Sequence, residues 1–160
     1  MQRFSRLNCQ KQNDCMKKYC FLLSLTGLLL FSCKKSDIDD LTASLGGTWK
    51  MILVTDNTST TSITKPSSIQ NDVIITFLPS SASTGTFTGK TPTNDIDQNP
   101  YSLGPHQAIS IPVLSMTKVA ETSWGAEFVD NIRDAQQYSL ATEGKINIRT
   151  RNKTLTFQKQ

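Results

Sequence analysis

Gln137-Tyr138-Ser139-Leu140-Ala141-Thr142, then Lys145-Ile146-Asn147-Ile148-Arg149, then Thr154-Leu155-Thr156-Phe157-Gln158 close the chain, and their reading decides the fold. Apolar and polar residues alternate through all three runs, the signature of strands with one buried face. Glu143-Gly144 and Asn152-Lys153 are short turns, so the three runs form an antiparallel meander. Immediately upstream, Thr122 or Ser123 caps a helix running to about Gln136. Trp124, Phe128, Ile132 and Ala135 fall on one stripe, widened by Val129, with Glu127, Asp130, Arg133 and Asp134 on the other side.

Working outward, Ala108-Ile109-Ser110-Ile111 is a strand ended by Pro112, and Tyr101-Ser102-Leu103 leads into it through Gly104-Pro105. Asp72-Val73-Ile74-Ile75-Thr76-Phe77-Leu78 is a strand with Gly85-Thr86-Phe87-Thr88-Gly89 as its hairpin partner, and Thr91 to Pro100 is a polar loop. Thr48-Trp49-Lys50-Met51-Ile52-Leu53-Val54 is the first strand, with Trp49, Met51 and Leu53 facing inward. The Ser/Thr-rich connection Asp56 to Asn71 is expected to be disordered. About seven strands and one helix that must bury its apolar stripe give an α+β class: a curled antiparallel sheet, or half-barrel, packed on one main amphipathic helix.

The N-terminal part has a different character. Lys17 and Lys18 precede the apolar run Phe21 to Phe31, which is followed by Ser32-Cys33. This is the order of a secretion signal, and the run is too short to span a bilayer. Leu30-Phe31-Ser32-Cys33 resembles a bacterial lipobox, which implies a lipid on Cys33. Translation is expected to begin at Met16, with Met1–Cys15 a dispensable leader. The resulting organisation is leader and signal over 1–32, lipidated cysteine and tether over 33–44, and a folded domain over 45–160. A short helix is expected over Asp37–Leu45, stopped by Gly46-Gly47.

Cleavage before Cys33 changes the charge argument. Five of the 17 basic residues and one of the 13 acidic ones precede Cys33, leaving twelve of each. The net +4 belongs to the discarded segment, so nothing in the mature chain points to nucleic acid as a partner. Cys9, Cys15 and Cys20 leave as well, and with Cys33 lipidated the domain has no disulfide to rely on.

Leu45-Gly46-Gly47-Thr48-Trp49-Lys50, Ile74-Ile75-Thr76-Phe77, Gly85-Thr86-Phe87-Thr88-Gly89, Ile109-Ser110-Ile111, Met116-Thr117-Lys118, Glu121, Phe128, Tyr138 and Leu155-Thr156-Phe157 occur in an order that resembles the META domain family, including the HslJ-like envelope proteins. The resemblance covers about Leu45 to Lys159. It implies an envelope compartment and an accessory role, with no catalytic residues. The cysteines typical of the family near Thr91 and near Met116 are missing, so no disulfide carries over.

Chemistry-bearing constellations are scarce. His106 is the only histidine and lies in a turn, so it reads as a solvated polar residue. Asp95-Ile96-Asp97-Gln98-Asn99 spaces three oxygen ligands as a calcium loop does, but Pro100 and His106 occupy the positions that need glycine and glutamate, so it reads as a polar turn. No nucleophile elbow, phosphate loop or dinucleotide fingerprint occurs. Trp49 and Trp124 are the candidate ligand-pocket residues, although their strand and helix spacing suits a core better.

The expectation is therefore a non-enzymatic lipoprotein with no cofactor and no metal, tied to the membrane through Cys33, in the outer membrane, and acting with an envelope protein partner. The alternative is a lipocalin-like carrier, since a Gly-x-Trp near the start followed by many strands also suits a barrel around an apolar molecule.

Overall fold

The computed structural model describes residues 45–160. The signal, Cys33, the tether and the short helix expected over Asp37–Leu45 lie outside the described residues, except for Leu45 itself. Nine strands are described: β1 (Gly47–Asp56), β2 (Ser62–Ile63), β3 (Ile74–Pro79), β4 (Thr84–Lys90), β5 (Asp95–Gly104), β6 (Ala108–Ser110), β7 (Ala135–Ala141), β8 (Lys145–Thr150) and β9 (Lys153–Lys159). One α-helix, α1 (Ser123–Ile132), joins β6 to β7.

The sheet runs β1-β3-β4-β5-β6-β7-β8-β9 with antiparallel neighbours, and β9 returns to pair with β1. Eight strands therefore close into a barrel, and β2 is a short flap on the outer half of β1. This overturns the α+β half-barrel packed on a main helix. Alternation reads each strand but does not say which edges meet. β1 is long enough to pair its first residues with β3 and nearly its whole length with β9, and that shared strand abolishes the free edge.

A bulge between Met51 and Leu53 in the pairing with β9 changes which residues of β1 face inward. Trp49, Met51 and Val54 are buried, not Trp49, Met51 and Leu53. One extra residue moves every later side chain to the opposite face. The polar loop expected over Thr91 to Pro100 is half strand, since β5 begins at Asp95. The connection after Asp56 is ordered instead of disordered. Asp56 Oδ1 accepts from the backbone N–H of Thr58 and Ser59, Ile69 packs on the core, and Lys65 and Lys50 both pair with Asp72 at 2.7 and 3.1 Å.

The interior is one cluster, with Trp49, Phe77, Phe87, Tyr101, Ile146, Leu155 and Phe157 among its members. Phe77 meets Phe87 at 5.8 Å and the Tyr101 ring edge-on at 5.1 Å, arrangements that favour the ring quadrupoles. Gly85 leaves room for that tyrosine: a Cβ there would lie 2.5 Å from the Tyr101 hydroxyl.

Antiparallel order places the turns β4–β5 and β8–β9 and the end of β1 at one mouth of the barrel. Helix α1 sits at this mouth. Thr122 caps it by accepting from the Gly125 N–H, and Trp124, Gly125, Phe128 and Ile132 are buried. The Phe128 ring stands edge-on to Phe157 at 6.4 Å, and Lys153 Nζ donates to Glu127 Oε2. The helix is a stopper for the barrel, not a layer beneath a sheet.

Candidate functional site

Two places gather polar groups. The first is the mouth closed by α1. Asn94, in the β4–β5 turn, is buried and bonds in every direction. Its Nδ2 donates to the Val119 carbonyl (2.9 Å) and to Glu121 Oε1 (2.5 Å), while its Oδ1 accepts from the Val119 N–H (2.7 Å) and the Thr117 hydroxyl (3.0 Å). Thr91 and Thr93 hydroxyls also donate to Glu121 Oε1. Glu121 Oε2 is buried without a hydrogen-bond partner and lies over Gly125, where a Cβ would sit 1.4 Å from it.

This clasp fastens the segment leading into α1 to the β4–β5 turn. Further along, Asn99 repeats the device: its Nδ2 donates to the carbonyls of Asp97 (2.7 Å) and Ser115 (3.0 Å), and its Oδ1 accepts from the Ser115 N–H (2.5 Å). Glu121 Oε1 and the Thr91, Thr93 and Asn94 donors around it are spent on one another. The arrangement is a structural fastening.

The second place is the seam between β6 and β7. Here the barrel wall rests on a single residue pair, Ala108 with Gln137. The β5–β6 turn, Pro105–Gln107, is tight: the Ala108 N–H returns to the Pro105 carbonyl, and His106 and Gln107 take φ values of 57° and 61°. Such a pair of left-handed residues is ordinarily Asn-Gly, and side chains there cost on the order of 1–2 kcal/mol each. Gln137 Nε2 donates to the His106 carbonyl at 3.0 Å. Between turn and strand lies an open depression of about 310 Å³ lined by Pro105, His106, Ala108, Gln136, Gln137 and Arg149. Arg149 is exposed, and no acidic side chain among the described residues pairs with it.

The sequence candidates fall as follows. Trp49 and Trp124 are both core residues, 2% and 1% exposed. Trp49 donates from Nε1 to the Leu45 carbonyl at 2.8 Å, with Lys159 Nζ 5.2 Å from its ring centre. Trp124 Nε1 is buried without a partner. His106 is exposed at the seam turn, and Cys33 lies outside the described residues. Asp95, Asp97 and Asn99 belong to β5, where Asp97 Oδ2 accepts from the Ser115 hydroxyl; this corrects the polar turn expected there. No three metal-ligating side chains converge among the described residues. Sequence reasoning gave Asn94, Glu121 and Arg149 no site role. The run Thr91-Pro92-Thr93-Asn94 carries a turn signal, but its bonding to residues 117–121 spans too much chain to be read locally.

Burial pushes the Tyr101 and Tyr138 phenols up from their ordinary range, with each other's proximity adding to the effect on Tyr101. Both are protonated at neutral pH, and the Tyr101 hydroxyl is buried without a partner.

No family model matches the chain, and no curated protein matches it. Among solved structures, the chain is similar to an NMR structure of a protein from Burkholderia xenovorans, with a TM-score of 0.54 and 17% identity over 76% of this chain and 88% of that one. At that identity the likeness concerns the fold alone: what the two chains share is the barrel.

Proposed function

We propose that this protein is a non-enzymatic, lipid-anchored module of the bacterial cell envelope, held to the membrane through Cys33 and acting through the outer surface of its barrel. The observation that carries the second half of this reading is the packed interior. Phe87, Phe128, Ile146, Leu155 and Phe157 are 0% exposed, so no water-sized space touches them, whereas a carrier's chamber of several hundred Å³ leaves its lining accessible. Membership of the META domain family and an outer-membrane address belong to the same proposal and rest on the sequence motifs.

The carrier reading has the closed barrel in its favour and the filled interior against it. Two measurements decide. Cells expressing the full chain and its Cys33→Ala variant are fractionated: the first is expected in membranes and the second in the soluble fraction, and membrane retention of the variant overturns the anchor. The purified protein is also titrated with a fluorescent fatty acid. Saturable one-to-one binding, abolished when an interior residue such as Ile146 is enlarged, restores the carrier.

A further inference from the structure

The mouth of the barrel opposite α1 has a character of its own. The start of β1, the end of β9 and the turns β3–β4, β5–β6 and β7–β8 form its rim. Leu78, near the end of β3, and Leu140, near the end of β7, are 46% and 43% exposed. β3 and β7 face each other across the eight-strand ring, so the two leucines stand on opposite sides of the rim. On the arc between them lie Lys159, which ends β9, and Lys145, which begins β8. Lys159 Nζ rests 5.2 Å from the centre of the Trp49 ring, and no acidic side chain among the described residues pairs with it. The acids are shared unequally between the two mouths. Four of the thirteen precede Leu45, and of the nine that are described eight belong to the end that carries α1: in α1 and its flanks, at the end of β1, and at or just before the start of β3 and β5. Glu143 alone belongs to the opposite rim, where Lys145 pairs with it at 3.0 Å. Cations occur at both ends, so anionic charge is what sets the two apart.

We propose that this rim docks on an anionic lipid bilayer, with Leu78 and Leu140 entering the headgroup region and α1 turned away from the surface. The inference rests on the reading that Cys33 carries a lipid, and it names the part of the barrel that meets the membrane. The chain itself selects the occupant. Leu45 is fully buried, and Trp49 Nε1 donates to its carbonyl at 2.8 Å, so the preceding chain enters the barrel at this mouth. Only eleven residues separate Leu45 from Cys33, a span of at most about 40 Å even at full extension. Attachment that short presents the rim to the bilayer at an effective concentration of about the millimolar range, where a weak contact suffices. Charge sets the orientation: the negative surface potential attracts Lys145 and Lys159 and repels the acid-rich end. The two leucines gain by leaving water.

The test uses the processed, lipidated protein in phosphatidylcholine vesicles that contain phosphatidylglycerol and a lipid with a nitroxide on its headgroup. In that chain the Cys33 sulfur is spent on the lipid, so Thr142→Cys at the docking rim, or Asn152→Cys at the end that carries α1, is the single free thiol and takes a bimane label. Nitroxide quenching at position 142 is expected to exceed that at position 152 by at least about threefold. Leu78→Glu combined with Leu140→Glu, two exposed changes, is expected to bring the positions within about twofold of each other while the protein still floats with the vesicles. Equal quenching in protein that floats overturns the docking and leaves the anchor standing, as does a difference that the two glutamates do not alter. Disulfide-linked dimers through the unlabelled thiol at position 142, with no quenching there, also overturn it, because the occupant of the rim is then a second copy. Protein that does not float with the vesicles refutes the anchor, and the docking with it.

Discussion

The β1–β9 seam and the β6–β7 seam make an instructive pair. Along β1 and β9 the barrel closes through seven paired positions, from Trp49 with Lys159 to Asp56 with Lys153. Between β6 and β7 it closes through one. Behind the first seam lie Leu155 and Phe157, both fully buried, with the Phe157 ring against Phe128 of α1. Three residues past the second, Leu140 is inward in parity and open to water. Closure of a sheet is thus not uniform around its circumference: strand length and apolar backing decide where it is firm.

The largest expected effect lies on the firm side. Phe128→Ala removes the ring that stops the barrel mouth and should cost about 3–5 kcal/mol in denaturant unfolding. Leu140→Ala, a truncation of another large apolar side chain at the open seam, should cost well under about 1 kcal/mol. Equal losses would mean that the two seams do not differ as described. Next comes the clasp. Asn94→Ala leaves the Val119 N–H and C=O without their side-chain partner and should cost about 2–3 kcal/mol. Asn94→Asp is expected to rescue little, because a carboxylate cannot donate to the Val119 carbonyl and would face Glu121.

The turn at the open seam should respond in the opposite direction. Gln107→Gly relieves a side chain at φ 61° and should raise stability by roughly 0.5–1 kcal/mol, the sign of strain held at an exposed site. A loss would show that the Gln107 side chain makes a contribution larger than that strain. The smallest effect is the pH dependence at Asp72. Partial burial raises its pKa, but hydrogen bonds from Lys65 and Lys50 and their charges outweigh this, and the carboxyl is held below its ordinary range. A lowered folded-state pKa contributes stability above the unfolded value of about 3.9 and loses it as pH falls through the folded value. The native protein should therefore be more stable than Asp72→Asn at neutral pH, and the difference should fade below about pH 4. A difference that persists unchanged into acid would assign the effect to packing.

Much of this was legible locally. The helix cap at Thr122, the stripe Trp124–Phe128–Ile132 and the three-stranded meander at the C-terminus follow from period and turn chemistry, because those signals act between residues a few positions apart. The inward set of β1 was legible only as far as Met51, where the bulge opposite β9 intervenes. A bulge is a property of a pair of strands, and a single sequence does not print its partner.

The sequence by itself determined most of the strands, though not β2 or the first half of β5, together with the capped start and apolar stripe of the helix, and it supplied the lipobox-like Cys33 that frames the proposed anchor. Only the tertiary structure decided that the sheet closes, that α1 is a stopper instead of a supporting layer, and that Asn94 and Glu121 fasten it. It also left the β6–β7 seam with a single paired position. The physical reason is range. Periodicity and capping are set by neighbours along the chain, whereas closure depends on which edges meet across some hundred residues, on one extra residue in β1 and on a hairpin that ends too soon.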